Sequence, residues 1–377
     1  MMRNVKYMKI FNDLRAQLVE GKYSEKSRLP SEMQLVRKYG VSRPTVVRAL
    51  KELQAAGFIE RRAGAGTFAR RITESDSGVG GALIGLIVPG MGVTEIFDVI
   101  CGKLIGLART NNYSVVWGST PLRTDPQETP AELAESFCQE MIERKVQGVF
   151  FAPFGWQSGQ AQINRLIAGR LRVAGIPIVL LDRDVAPFPQ RSDYDLVGID
   201  NFAAGYTLTK HLLDMGCRRL FFVAGTQTLP TVEARYAGFR EAMLAHGITA
   251  NADPCPSIDP ADEVQIAALL KNKPDAFVCA NDYRAGVLMQ TLDALGCNVP
   301  QDVRIVGFDD VKYATLLRAP LTTMHQPCRE IAAVAWQVMQ NRLKNPTLPT
   351  CTVSLAARLV VRQSCGAYLP TAGRQPD

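Results

Sequence analysis

Histidine is the scarcest chemistry-bearing side chain: three in 377 residues, at positions 211, 246 and 325, with no HExxH spacing. A metal site built on imidazole is therefore not expected. Paired cysteine motifs are missing as well. The nine cysteines include no CxxC, and an odd number cannot all pair within one chain. Most sit in apolar runs, where Cys behaves as a small hydrophobe, so reduced thiols and a cytoplasmic setting are expected. The longest apolar stretch, ALIGLIVPGMGV, is broken by Pro89 and Gly90. It falls far short of the roughly 20 residues that a bilayer span requires. The opening MMRNVKYMKIFNDLR interleaves charge with apolar residues and lacks a secretory core, so neither export nor a membrane partner is expected.

Enzyme signatures are equally thin. There is no Walker GK[ST]. IVPGMGVTE begins like a dinucleotide fingerprint but carries Glu95 at its third glycine position, and GWQSG is not a nucleophile elbow. Acidic residues without a His base or a metal partner make weak catalysts. No enzymatic activity and no cofactor are expected.

What is present is charge, unevenly placed. Of a net +7, residues 1–74 hold 16 Lys and Arg against 7 Asp and Glu, or +9, and the rest of the chain carries −2. A small basic region joined to a large neutral one suits a polyanion at the first, although a solvated basic surface fits the same count. Local pattern separates the two. Phe11, Leu14 and Leu18 continue a helical spacing from Tyr7; SEMQ at Ser31 is a capping box; Ser42 opens a third helix, Arg43 to Ala56, with Pro44 in its first turn. GFIERR and GTFARR, joined by AGAG, read as a hairpin. Three helices and a hairpin, with only Gly40 and Val41 between the second and third helices, spell a winged helix-turn-helix. ITESDSGVGG, residues 72–81, is a polar linker.

LPSEMQLVRKYGVSRPTVVRALKELQAAGFIERRAGAGTFA resembles the winged domain of GntR-family bacterial regulators along its whole length. Met33, Val47 and Ala65 stand where members often carry a basic residue. The expected partner is double-stranded operator DNA. The expected contacts are Lys6, Glu32, Ser42, Arg43, Thr45 and Arg48, with Arg61, Arg62 and Gly66 of the wing. A helix N-terminus bearing Ser, Arg and Thr suits the major groove, and wing arginines suit phosphates.

From residue 82 the pattern becomes strand-like runs (LIGLIV, YSVVWG, GVFFAP, IPIVLLD, VGID, RLFFVAG, DAFVCAN, VRIVGFDD) alternating with amphipathic stretches. Apolar strands between helices mean parallel sheets covered on both faces. Eight such units exceed one comfortable sheet. The fold class is therefore α/β, an N-terminal winged helix-turn-helix followed by a two-lobed sensor with parallel sheets. Ligands in such sheets sit beyond the carboxyl ends of the strands. Asp182 and Arg183, Asp200 and Asn201, Asn281 and Asp282, Asp309 and Asp310 all stand there, suited either to a polyhydroxylated ligand or to capping the next helix.

GIPIVLLDRDV, VGIDNFAAGYTLTKHLLDMGCRRL, EARYAGFREAM, CANDYRAGVLMQTLDALGCNVPQDVRIVGFDD and PLTTMHQP resemble the effector-binding core of the LacI/GalR repressors, itself similar to periplasmic sugar-binding proteins. Joined to a GntR-type reader, the whole resembles sugar-responsive repressors of the AraR type. The resemblance implies a sensor over 82–366, a tail over 367–377 and a DNA-binding domain over 1–71. It implies effector contacts from Arg235, Asn281, Asp309, Asp182 and the adjoining Arg183, with an apolar wall at Ile96 and Phe97 and a further candidate at Leu196. Phe97 fits equally as a core residue of its helix. Gly286 and Leu317 would lie at a homodimer interface. The implied function is a cytoplasmic repressor released from a palindromic operator by a small sugar. A purine-responsive or co-repressor-dependent regulator, or a sugar receptor without DNA function, are the alternatives.

Overall fold

The computed structural model describes residues 10, 11, 13, 14, 17, 18, 22, 23, 27–55, 59–62, 66–69, 82–88, 95–119, 130–155, 160–225, 229–249 and 257–369. Lys6, Tyr7, Ala56, Arg70, Arg71 and the 72–81 segment lie outside them. The chain divides into two compact units, Met1–Gly81 and Ala82–Asp377.

In the first unit, helix α1 (Glu32–Tyr39) begins at the Ser31 capping box: Ser31 Oγ accepts from the Gln34 amide, and Gln34 Oε1 accepts from the Ser31 amide at 2.7 Å. It stops at Gly40, whose φ of 61° is left-handed and comfortable for glycine. Helix α2 (Arg43–Ala55) turns Val46, Ala49, Leu50 and Leu53 fully inward. They pack with Ile10, Leu14 and Leu18 of the first helical stretch and with Ile59 of the wing. Strands β1 (Ile59–Arg62) and β2 (Gly66–Ala69) pair antiparallel, Ile59 opposite Ala69. A third extended piece absent from the sequence reading joins them: Leu29 donates to the Thr67 carbonyl, and Arg28 bridges Phe68.

The second unit alternates strand and helix: β3 (Ala82–Val88), α3 (Glu95–Thr110), β4 (Tyr113–Ser119), α4 (Pro130–Glu143), β5 (Gly148–Phe151), α5 (Gln160–Val173), β6 (Ile178–Leu181) and β7 (Asp195–Ile199). Then follow α6 (Asn201–Asp214), β8 (Leu220–Val223), α7 (Pro230–Ala245), α8 (Glu263–Leu270), β9 (Ala276–Cys279), α9 (Asp282–Ala294), β10 (Arg304–Asp309), β11 (Thr322–His325), α10 (Cys328–Lys344), β12 (Thr352–Leu355) and β13 (Arg358–Val360). One sheet has the order β12-β7-β6-β5-β3-β4 and the other β13-β11-β10-β9-β8, parallel throughout except for β13 against β11. These are the two lobes. All eight expected runs are strands; β11, β12 and β13 are additional. β12 and β13 leave most of their length partly or fully exposed, so they lack the apolar run that marks a buried strand.

Alternation along β3 sends Ile84, Leu86 and Val88 to one face and Ile87 to the other. The chain passes between the lobes three times, at Asp200, at Gln326–Pro327 and between β12 and β13. Those passages bring the carboxyl ends of both sheets to one cleft. Among the described residues no helix is long and apolar enough to cross a membrane.

Helices α6 and α7 touch through their backbones. A Cβ on Gly205 would stand 2.2 Å from the Arg235 carbonyl oxygen, and one on Gly238 2.1 Å from that of Phe202. Gly238→Ala should therefore force the helices apart and cost about 1–3 kcal/mol, read as a lower urea midpoint of the sensor. An unchanged midpoint would contradict this packing.

Candidate effector cleft and candidate DNA interface

The guanidinium of Arg235 lies at the meeting point of the second lobe's strand ends. α7 carries it, and it is buried to 4% exposure. Its Nε donates to Asn201 Oδ1 at 2.8 Å and its Nη1 to the Ala280 carbonyl at 2.6 Å. Its Nη2 is 3.9 Å from Asp309 Oδ1, and the Phe308 ring lies 4.4 Å from Cζ. Asp309 in turn accepts from Gln326 Nε2 at 2.7 Å. Burial pushes the Asp309 carboxyl up to about 6, with Arg235 pulling the other way. Asp282 behind it is fully buried, accepts from Thr323 Oγ1 at 2.6 Å, and burial holds its carboxyl well above the usual range. Asn281 caps α9, its Oδ1 accepting from the Arg284 amide at 2.9 Å. Its side-chain NH2 makes no hydrogen bond among the described residues.

From the first lobe come Asp182 and Arg183, both buried. Arg183 stands over the Phe97 ring at 5.6 Å. Its Nε is 3.0 Å from Asp182 Oδ2, but the N–H is not directed at that oxygen: Nε and Nη1 are buried without a hydrogen-bond acceptor among the described residues. Buried guanidinium donors without acceptors are costly. Asp182, Asp309 and Asp310 also hold left-handed φ angles of 69°, 110° and 55°, a strain that gathers at functional sites.

The structure thus brings Phe97, Asp182, Arg183, Arg235, Asn281 and Asp309 together at the lobe junction. Ile96 and Phe97 are buried in the core of α3 as well, and the Phe97 ring also lies beside Arg183. Leu196 is not brought to this group. Alternation along β7 turns it to the opposite sheet face from Val197 and Ile199. There it lines a neighbouring pocket of about 250 Å3 with Phe188, Phe202 and Thr352, a pocket that shares only the 182–183 segment and Asn201 with the cleft. Sequence reasoning did not nominate Gln326 or Phe308. Asn201 was visible as a strand-end polar residue, but its bond to Arg235 was not. Gly286 and Leu317 face each other, 3.5 Å from an ideal Cβ to Leu317 Cδ2, beside the exposed Leu316 and Tyr283.

In the first unit, Arg43 Nε donates to Glu32 Oε2 at 2.8 Å, tying the start of α2 to the start of α1. The Ser42 and Thr45 hydroxyls are 2.8 Å apart, and Arg48 is exposed on the same helix. Arg61 and Arg62 lie on β1 opposite Thr67 and Gly66. Arg28, unnoticed in the sequence, lays its Nε 2.8 Å from an ideal Gly66 Cβ, adding a guanidinium at the wing. Lys6 lies outside the described residues.

Removing the Arg235 charge while keeping its bulk, as in Arg235→Met, should cost about 3–5 kcal/mol by stranding Asp309 and its polar neighbours. Urea unfolding checks this, and a loss below about 1 kcal/mol would contradict the geometry.

Comparisons with known proteins follow this division. Residues 6–69 match the bacterial regulatory proteins of the gntR family, and residues 209–365 match the periplasmic binding protein-like domain. The arabinose metabolism transcriptional repressor of Geobacillus stearothermophilus is 26% identical over 373 residues, covering 95% of this chain and 97% of that protein. The HTH-type transcriptional repressor PurR of Photobacterium profundum is 30% identical over 200 residues, 51% of this chain and 58% of that one. A LacI family transcriptional regulator from Enterococcus faecium, with bound ribose, overlays with a TM-score of 0.60 at 23% identity, across 75% of this chain and 98% of that one. The chain therefore joins a GntR-type winged helix-turn-helix to a periplasmic binding protein-like domain, and it is similar from end to end to arabinose metabolism repressors.

Proposed function

We propose that this chain is a sequence-specific transcriptional repressor that a small sugar releases from its operator. The observation that carries the sensor half is Arg183: two buried guanidinium nitrogens without acceptors among the described residues, beside an aromatic ring and the acids Asp182 and Asp309. A polyhydroxylated ring offers oxygens to Arg183 and Asn281, hydroxyl donors to Asp182 and Asp309, and an apolar face to Phe97. The end-to-end similarity to arabinose metabolism transcriptional repressors supports the reading.

The remaining assignments belong to this reading. Residues 1–71 read DNA through Glu32, Ser42, Arg43, Thr45, Arg48 and the wing; 72–81 link; 82–366 sense and dimerise, near Gly286 and Leu317; 367–377 form a tail. One winged domain covers a half-site, so two copies read a palindrome. The protein acts by binding and not by catalysis, and it acts in the cytoplasm, where its DNA is. Leu196 belongs to the cleft's surroundings, not its ligand shell.

A thermal-shift screen of L-arabinose, D-ribose, other pentoses and hexoses, their acids and phosphates, and purines tests the effector class. A ligand at 100 times its Kd adds about 2.7 kcal/mol. A purine response with no sugar response would overturn the sugar.

On the DNA side, Arg43→Ala should cost about 1–3 kcal/mol and relax preference at one base position. Binding to the selected operator that is unchanged in a gel-shift series would remove Arg43 from base reading.

On the sensor side, hydroxyl donors favour an ionised Asp309, whose carboxyl sits at about 6. Its ionised form must be populated for tight binding. Effector affinity should therefore hold level above about pH 7 and fall, toward about tenfold per unit, below Asp309's titration. Asp309→Ala should abolish the response while leaving ligand-free DNA binding intact. Calorimetric titration from pH 5 to 8 decides the first point, and a flat profile excludes Asp309 as the acceptor.

A further inference from the structure

Two contacts join the lobes without belonging to either lobe's own packing. Glu95, the first residue of α3, accepts from the Lys312 backbone amide at 3.0 Å through Oε2, across 217 residues of sequence. Lys312 opens the second-lobe turn Lys312–Thr315, two residues beyond Asp310. Leu229, at the start of α7 in the second lobe, reaches Gly155 beyond β5 in the first. Its Cδ2 is 1.8 Å from where a Gly155 Cβ would stand, and Arg183 Nη1 is 3.1 Å from the same point. A side chain at Gly155 would displace Leu229 from this position.

Both contacts border the cleft: Glu95 precedes Ile96 and Phe97, and Leu229 stands beside Arg183. Opening the lobes breaks the Glu95–Lys312 bond, which lies at the solvent-exposed edge of the cleft, and uncovers the Leu229 methyls. We propose that Glu95 and Leu229 are positioning residues of the effector response, a polar and an apolar latch that set how readily the cleft closes on its ligand. The effector consequence rests on the reading of the cleft as the ligand site; the latch itself does not. A ligand that favours the closed form gains whatever stabilises that form beforehand. By reciprocity, loosening the latch weakens the effector and leaves ligand-free operator binding equal or tighter.

Amide hydrogen exchange in the full-length, ligand-free protein reads the polar latch directly. Glu95→Ala should speed exchange at the Lys312 amide about tenfold, the loss of one bond to a charged acceptor. Glu95→Gln keeps an acceptor oxygen and should stay near wild type. The Ala314 amide, bonded to the Val311 carbonyl within the second lobe, should not change and so controls for general loosening. Thermal-shift titration with L-arabinose and D-ribose then reads the consequence. Whichever sugar binds the wild type should bind Glu95→Ala and Leu229→Ala about tenfold more weakly, and Glu95→Gln nearly normally. Unchanged Lys312 exchange in Glu95→Ala overturns the latch whether or not a sugar binds. Faster exchange with unchanged sugar affinity, in both alanine variants, overturns its part in the response. If neither sugar binds the wild type, the pentose reading of the cleft fails, and Lys312 exchange still decides the contact.

Discussion

Leaving a buried guanidinium with idle donors is costly, and Arg235 is where this chain avoids that cost. It is fixed by Asn201 at the start of α6, by the carbonyl of Ala280 at the end of β9 and by Asp309 at the end of β10. Through Asp309 it also reaches Gln326, at one of the three passages between lobes. One charge thus ties together the ends of two strands, two helices and the hinge. The backbone contact of α6 with α7 serves the same arrangement: Gly205 lies against the Arg235 carbonyl, so helix spacing and guanidinium position are a single constraint.

Around Arg235 the cleft is left in tension. Asp309 is held toward neutrality by burial and toward ionisation by Arg235. Arg183 keeps two donors unsatisfied, and three acids sit in left-handed backbone conformations. On the proposed reading, a ligand that supplies oxygens and hydroxyls relieves the first two at once. Its binding energy is then largest when the lobes are closed, which is the condition for a ligand to shift a two-state equilibrium at all. Glu95 and Leu229 add to that closed form from outside the ligand's own contacts.

The DNA-binding unit follows a similar logic at a smaller scale. Arg43 is exposed, yet it is held by Glu32, so its direction is set before any base is met. An ordered guanidinium loses less freedom on binding than a loose one. If Arg43 reads a base as proposed, engaging a guanine fork means sharing or exchanging the Glu32 contact, which would couple base discrimination to the geometry between α1 and α2.

Several layers of this architecture were legible in the residues alone. The capping box at Ser31, the inward stripe of α2 and the apolar strands of both lobes are local patterns, governed by turn chemistry and side-chain period, and need no distant partner. The acids and amides at strand ends marked the cleft because parallel sheets present those ends together. Distance in sequence concealed the rest. β12 and β13 are partly exposed strands that exist only because a sheet edge was already there to pair with. Leu196 has the right composition for a cleft wall, but one step of strand alternation turns it to the other face. Gln326, Arg28, the Glu95–Lys312 bond and the Leu229–Gly155 contact join residues that no local spacing relates. Composition and periodicity determined which elements form and which faces are apolar. Only the tertiary structure decided which polar groups share a charge, because that depends on close approaches between backbones far apart in the chain.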